Sequence, residues 1–110
     1  MLMLAMAGST PEQKCEAGKN AAAGKYDACM AKAEKSLVLT GDAGRYGAAL
    51  TKCEGKLIAT WKKLEAAGSC PSVGDQSSIQ GFVDACVQSV AGAVAGGALG
   101  LDPVTCNTDL

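Results

Sequence analysis

The chain has 110 residues, with 6 cysteines, 14 glycines, no histidine and a formal net charge of −1. The missing histidine excludes histidine-based triads, histidine metal sites and c-type haem attachment, and the near-zero charge leaves no strong overall field to draw in nucleic acid. Roughly half of the hydrophobic residues are alanine or cysteine, so the core is thin and calls for covalent support.

The chain opens on the apolar run Met1-Leu2-Met3-Leu4-Ala5-Met6-Ala7, and its first charge is Glu12. Ala5-Met6-Ala7 has the small-x-small shape of a signal-peptidase site, although a complete signal starts with positive charge and spans about 15–30 residues. Residues 1–9 therefore read as an apolar leader, either a truncated signal peptide or a docking arm. Residues 10–110 read as a single disulfide-stapled helical domain.

Thr10-Pro11-Glu12-Gln13 predicts a helix start: Thr10 caps, Pro11 suits the first helical position and Gln13 closes a capping box. A stripe through Cys15, Gly18, Ala22, Tyr26, Cys29, Ala33 and Leu37 follows at helical spacing. Thr40-Gly41-Asp42 breaks it, with Asp42 as the next cap. A second stripe runs through Tyr46, Leu50, Cys53, Leu57, Trp61 and Leu64, and Gly68 with Pro71 ends it. Asp75 is placed to cap a third helix, with Ile79, Val83, Cys86, Val90 and Val94 on one face and Gly96-Gly97 at its end. Asp102-Pro103 signals a turn before a short tail. No strand pattern competes. The expected fold is all-α: a long antiparallel two-helix hairpin plus a third helix and a folded-back tail, stapled by three disulfides.

Six cysteines with no C-x-x-C and no histidine favour disulfides over a metal site, and hence an extracytoplasmic compartment, secreted or periplasmic. Six cysteines allow 15 pairings, and hairpin geometry selects among them. Residues at equal height on the two helices have indices summing to about 80, and each unit of departure shifts the height by about 1.5 Å. Cys29 with Cys53 is then about 3 Å out of step and Cys15 with Cys70 about 7 Å, whereas Cys15 with Cys53 is about 18 Å out. A bridge needs Cα atoms within about 7 Å. The expected pairs are Cys15–Cys70 and Cys29–Cys53, leaving Cys86–Cys106. A weak repeat agrees, since residues 25–34 align with 45–54 at an offset of 20 and place Cys29 opposite Cys53. The same register sets Trp61 opposite Ala22 and Leu64 opposite Gly18, large against small. Trp61 is therefore expected to be buried against helix 1.

The run Cys15…Lys25-Tyr26…Cys29…Lys32-Ala33-Glu34, then Tyr46…Lys52-Cys53-Glu54…Trp61…Glu65…Cys70-Pro71…Gly74-Asp75, resembles a Cys-punctuated helical module of predicted secreted proteins from environmental bacteria. The likeness covers residues 10–95. It implies secretion and a stapled helical fold, and no activity. Saposins, with paired cysteines close together at both ends, and insect odorant-binding proteins, with a C-x3-C, do not fit the spacing.

Chemistry is sparse. No G-x-S-x-G elbow and no lysine-bearing phosphate loop occurs. Charge pairs such as Glu16/Lys19 read as solvated helix surface. No catalytic residue, metal site or cofactor is expected. All ten Lys and Arg lie between Lys14 and Lys63, and only Asp75, Asp84, Asp102 and Asp109 follow Glu65, so a basic hairpin and an acidic final third are set to attract, within one molecule or between molecules. Ala85 to Leu101 is uncharged, with Gly92, Gly96 and Gly100 at every fourth position. That spacing offers a close-packing face in a stretch short of the roughly 20 apolar residues of a stable membrane span.

The expected function is a secreted, non-enzymatic structural or interaction protein that self-assembles, with the leader docked head-to-tail on the glycine face of a second copy. The alternative is a carrier for a small apolar ligand, which needs a void of several hundred Å³. Close-packed alanine helices speak against such a void.

Overall fold

A computed structural model describes residues 8–96. Its described residues form three helices and no strand: α1, Pro11–Thr40; α2, Ala43–Ala66; and α3, Gln76–Val94. The apolar leader through Ala7, Gly100, the folded-back tail and the Cys86–Cys106 pairing lie outside the described residues. None of the described cysteines is a free thiol.

Local chemistry sets the boundaries. At the start of α1, the Gln13 amide donates to Thr10 Oγ1 at 3.1 Å and the Thr10 amide to Gln13 Oε1 at 2.9 Å, a closed capping box behind Pro11. Gly41 ends α1 in the left-handed region at φ 67°, where glycine carries no Cβ penalty. One residue later the Arg45 amide donates to Asp42 Oδ1 at 3.0 Å and starts α2. Gly68 (φ 86°) and Ser69 (φ 64°) both turn left-handed after α2 and swing the chain back toward α1. Asp75 occupies the N-cap position of α3 but makes no side-chain cap; its carboxylate is engaged elsewhere.

The hairpin holds the expected register. Cys29–Cys53 and Cys15–Cys70 are bridged, with Cα atoms 5.8 and 5.3 Å apart. A Cβ built on Gly18 would stand 2.7 Å from Leu64 Cδ2, so the two helices approach closely where large was expected to meet small. α3 returns alongside α1, lying mainly against it. Val83, with no exposed surface, sits among Ala22, Tyr26, Met30, Leu57, Trp61 and Val87.

Two parts of the stripes are corrected. On α1 the buried set also includes Lys19, Ala23 and Met30, because α1 faces two neighbours and a single stripe serves only one. On α3, Val87 is buried whereas Val90 and Val94 are 54% and 82% exposed; the core ends at the level of Gln88, which donates to Glu34 and Tyr46. Gly92 and Gly96 have no described atom within 4 Å of where a Cβ would stand.

Candidate functional site

Two features stand out, a polar cluster at one end of the bundle and a groove along the hairpin. The cluster is built around Lys19. It projects from α1 toward the loop after α2 and is 7% exposed, so the reading of Glu16/Lys19 as a solvated surface pair does not hold for the lysine. Its ammonium donates to Glu65 Oε2 at 2.8 Å, Asp75 Oδ1 at 2.9 Å and the Ser72 carbonyl at 2.7 Å, and it lies 5.0 Å from the centre of the Trp61 ring. All three protons of the ammonium are thus satisfied, and a ring face is beneath them.

Asp75 explains its own missing cap. Its Oδ1 accepts from Lys19 and from Trp61 Nε1 at 3.0 Å, while Oδ2 accepts from Ser72 Oγ at 2.7 Å. Glu65 Oε2 also accepts the Gly74 amide at 3.0 Å. Desolvation pulls the Lys19 ammonium down, but the hydrogen bonds and charges of Asp75 and Glu65 outweigh it and hold its pKa above the ordinary lysine value. The Lys19 hydrogen bond, above all, holds the Asp75 carboxyl well below the usual carboxylate range; Ser72 and Trp61 add to this against desolvation. Together with Cys15–Cys70, the cluster fastens the segment 67–75 to α1. Trp61 is buried as expected, at 3% exposure. Its polar partners were not anticipated.

Two tyrosines at matching positions of the internal repeat cross-link helices. Tyr26 donates to Asp84 and ties α1 to α3; Tyr46 donates to Glu34 and ties α2 to α1. Burial and the Asp84 carboxylate push the Tyr26 phenol well above its ordinary value. The Glu34 hydrogen bond, then burial, raise Tyr46. Both act as fixed donors. Every buried polar side-chain atom among the described residues has a partner. Of the described acids of the final third, Asp75 pairs with Lys19 of the basic hairpin within one molecule and Asp84 accepts from Tyr26.

The second feature is a groove of about 550 Å³ between α1 and α2. Gly18, Ala21 and Ala22 form one wall and Thr60 and Leu64 the other; the Cys29–Cys53 bridge and Leu57 reach its floor, and Lys25 and Lys56 flank it. Alanine-rich helices were expected to leave little cavity, and this space is an open surface groove rather than an interior void. No α3 residue lines the groove, so the space beside the small residues Ala21 and Ala22 stays uncovered. A smaller hollow of about 250 Å³ lies beside Lys19, Trp61 and Asp75. Among the described residues no cluster of His, Cys, Asp or Glu is arranged to hold a metal ion, and no helix is long and apolar enough to cross a membrane.

No family model, no curated protein and no solved structure matches this chain.

Proposed function

We propose that this protein is a secreted, non-catalytic interaction module whose binding face is the open groove between α1 and α2. The observation that carries the reading is the groove itself: about 550 Å³, within the roughly 300–1,000 Å³ of ligand pockets. Its walls are two helices fixed by a bridge at the floor, so the site is formed before any ligand arrives and binding needs little ordering. The disulfides support an oxidising compartment.

The test uses a neutral apolar dye. Nile red added to the oxidised protein is expected to brighten and shift to the blue, and Ala21→Trp, which fills the groove from an exposed position, is expected to abolish the change. An unchanged response in Ala21→Trp would overturn the reading.

A second reading, self-association, rests on a different observation. Val38 and Leu39 are 83% and 74% exposed, and Val90 and Val94 are exposed at the same end of the bundle. Four large apolar side chains at one end form the kind of surface that a second copy covers. Light scattering on the oxidised protein tests it: Leu39→Glu/Val94→Glu is expected to convert larger species to monomer. A strictly monomeric wild type at high concentration removes this reading and leaves the groove untouched.

A further inference from the structure

We infer that the groove selects a single anionic amphiphile, such as a long-chain carboxylate, with the acid group held between Lys25 and Lys56. The inference rests on the groove being a binding face and adds the charge and shape of what it takes.

The hairpin register makes the argument. Cys29 is bridged to Cys53 and Gly18 meets Leu64, so facing residues have indices summing to about 82. Lys25 and Lys56 fit that rule within one residue, and both line the groove. They therefore stand at nearly the same height on facing helices, one on each side. No acid lies three or four residues from either on its own helix, and none is among the groove's lining residues. The ion pairs of the described residues are both made by Lys19. Two exposed lysines thus flank one groove with no acid among its lining residues, and an anion between them is attracted by both charges.

The rest of the groove suits an apolar tail. From the lysine pair to Gly18 and Leu64 is seven residues of helix, about 10 Å, along a wall with no charged side chain. Ala21 and Thr60 border the open part, and Leu64, packed onto Gly18, closes the far end. An ion alone leaves this channel empty, and an uncharged chain leaves the lysines unpaired. A molecule with both parts fills both needs. The groove is narrow and set between two helices, so the ligand is one dissolved molecule rather than a bilayer surface.

Isothermal titration of the oxidised full chain compares dodecanoate with dodecyltrimethylammonium, both below their micelle concentrations, at neutral pH and low salt. Dodecanoate is expected to bind one to one and at least tenfold tighter than the cation. Lys25→Glu/Lys56→Glu, two exposed positions whose helicity is checked by circular dichroism, is expected to lose at least tenfold for dodecanoate and to gain for the cation. Lys14→Glu/Lys62→Glu, outside the groove, is expected to change little. Equal affinity for the two probes, or no loss in Lys25→Glu/Lys56→Glu, overturns anion selection even if Nile red still binds. Binding to vesicles containing anionic lipid without binding of monomeric dodecanoate also overturns it. If neither dodecanoate nor Nile red binds, the groove reading itself fails.

Discussion

Lys19 is the residue on which one end of the molecule depends. Lys19→Met removes the cation shared by Glu65 and Asp75. Breaking a buried pair costs about 3–5 kcal/mol, and the side-chain exposure of 24% and 30% at the two acids sets the expected loss at the lower end, about 3 kcal/mol. Denaturant unfolding measures it, and Lys19→Met/Asp75→Asn is expected to recover part. Trp61→Ala is expected to cost about 3–5 kcal/mol through the cavity it leaves, whereas Trp61→Phe, which keeps an aromatic ring but loses the donor to Asp75 and part of the ring volume, is expected to cost less. The same cluster sets a pH dependence. The depressed Asp75 pKa contributes stability that is fully present above the unfolded carboxylate value, about 3.9, and is lost as pH falls through the folded value. The raised Lys19 pKa contributes stability present below about 10.4 and lost as pH rises through the folded value. Melting temperatures followed by circular dichroism should be flat between these limits and fall on both sides. Asp75→Asn should start lower and flatten the acid limb, and an unchanged acid limb in that variant would remove Asp75 from the account.

Among the elements, the close approach of α1 and α2 is the feature most open to test. A Cβ at Gly18 meets the end of the Leu64 side chain, so Gly18→Leu is expected to overpack the contact and cost about 1–3 kcal/mol. Gly18→Leu/Leu64→Ala, which exchanges large and small, should recover at least half. Gly55, by contrast, is exposed with open space about its Cα, and Gly55→Ala should raise stability by about 0.5–1 kcal/mol through helix propensity alone. This register was legible in the sequence, because an antiparallel hairpin with a short turn ties every facing pair to one sum of indices. The caps at Thr10 and Asp42 were legible for a similar reason, since their partners lie three residues away. The Lys19 cluster was not. Its partners lie 46 and 56 residues away, and in a local pattern Lys19 looks like any lysine on a helix surface. The groove was hidden as well. Small residues signal close packing when a neighbour fills the space, and whether one does depends on where α3 lies, which no local spacing fixes.

At the scale of the whole molecule, the two bridges are nested. Cys29–Cys53 closes a loop of 24 residues, and Cys15–Cys70 spans 55. Once the inner bridge exists, the outer one adds only the 31 residues by which 55 exceeds 24. Loop-closure entropy then values each at about 3.5 kcal/mol. Cys29→Ala/Cys53→Ala and Cys15→Ala/Cys70→Ala are therefore expected to lose similar amounts in denaturant unfolding, despite loops of very different length. A large excess for the outer pair would mean that the segment carrying the Lys19 cluster detaches with its bridge. The thin core makes these contributions large against the roughly 5–15 kcal/mol by which folded domains are stable.

The nesting has a consequence for cleavage. Both bridges join the chain before Thr40 to the chain after Asp42, so the hairpin turn is required to make the molecule but not to keep it. Lys35 and Arg45 are exposed on either side of that turn, where proteases first gain access. A single trypsin nick there should leave a particle heavier by one water, fully helical, and intact on a gel without reductant. Reduction should release two pieces that no longer find each other. The unbroken chain, reduced and reoxidised alongside, should recover its helicity, because its turn still carries the register that the bridges later make permanent.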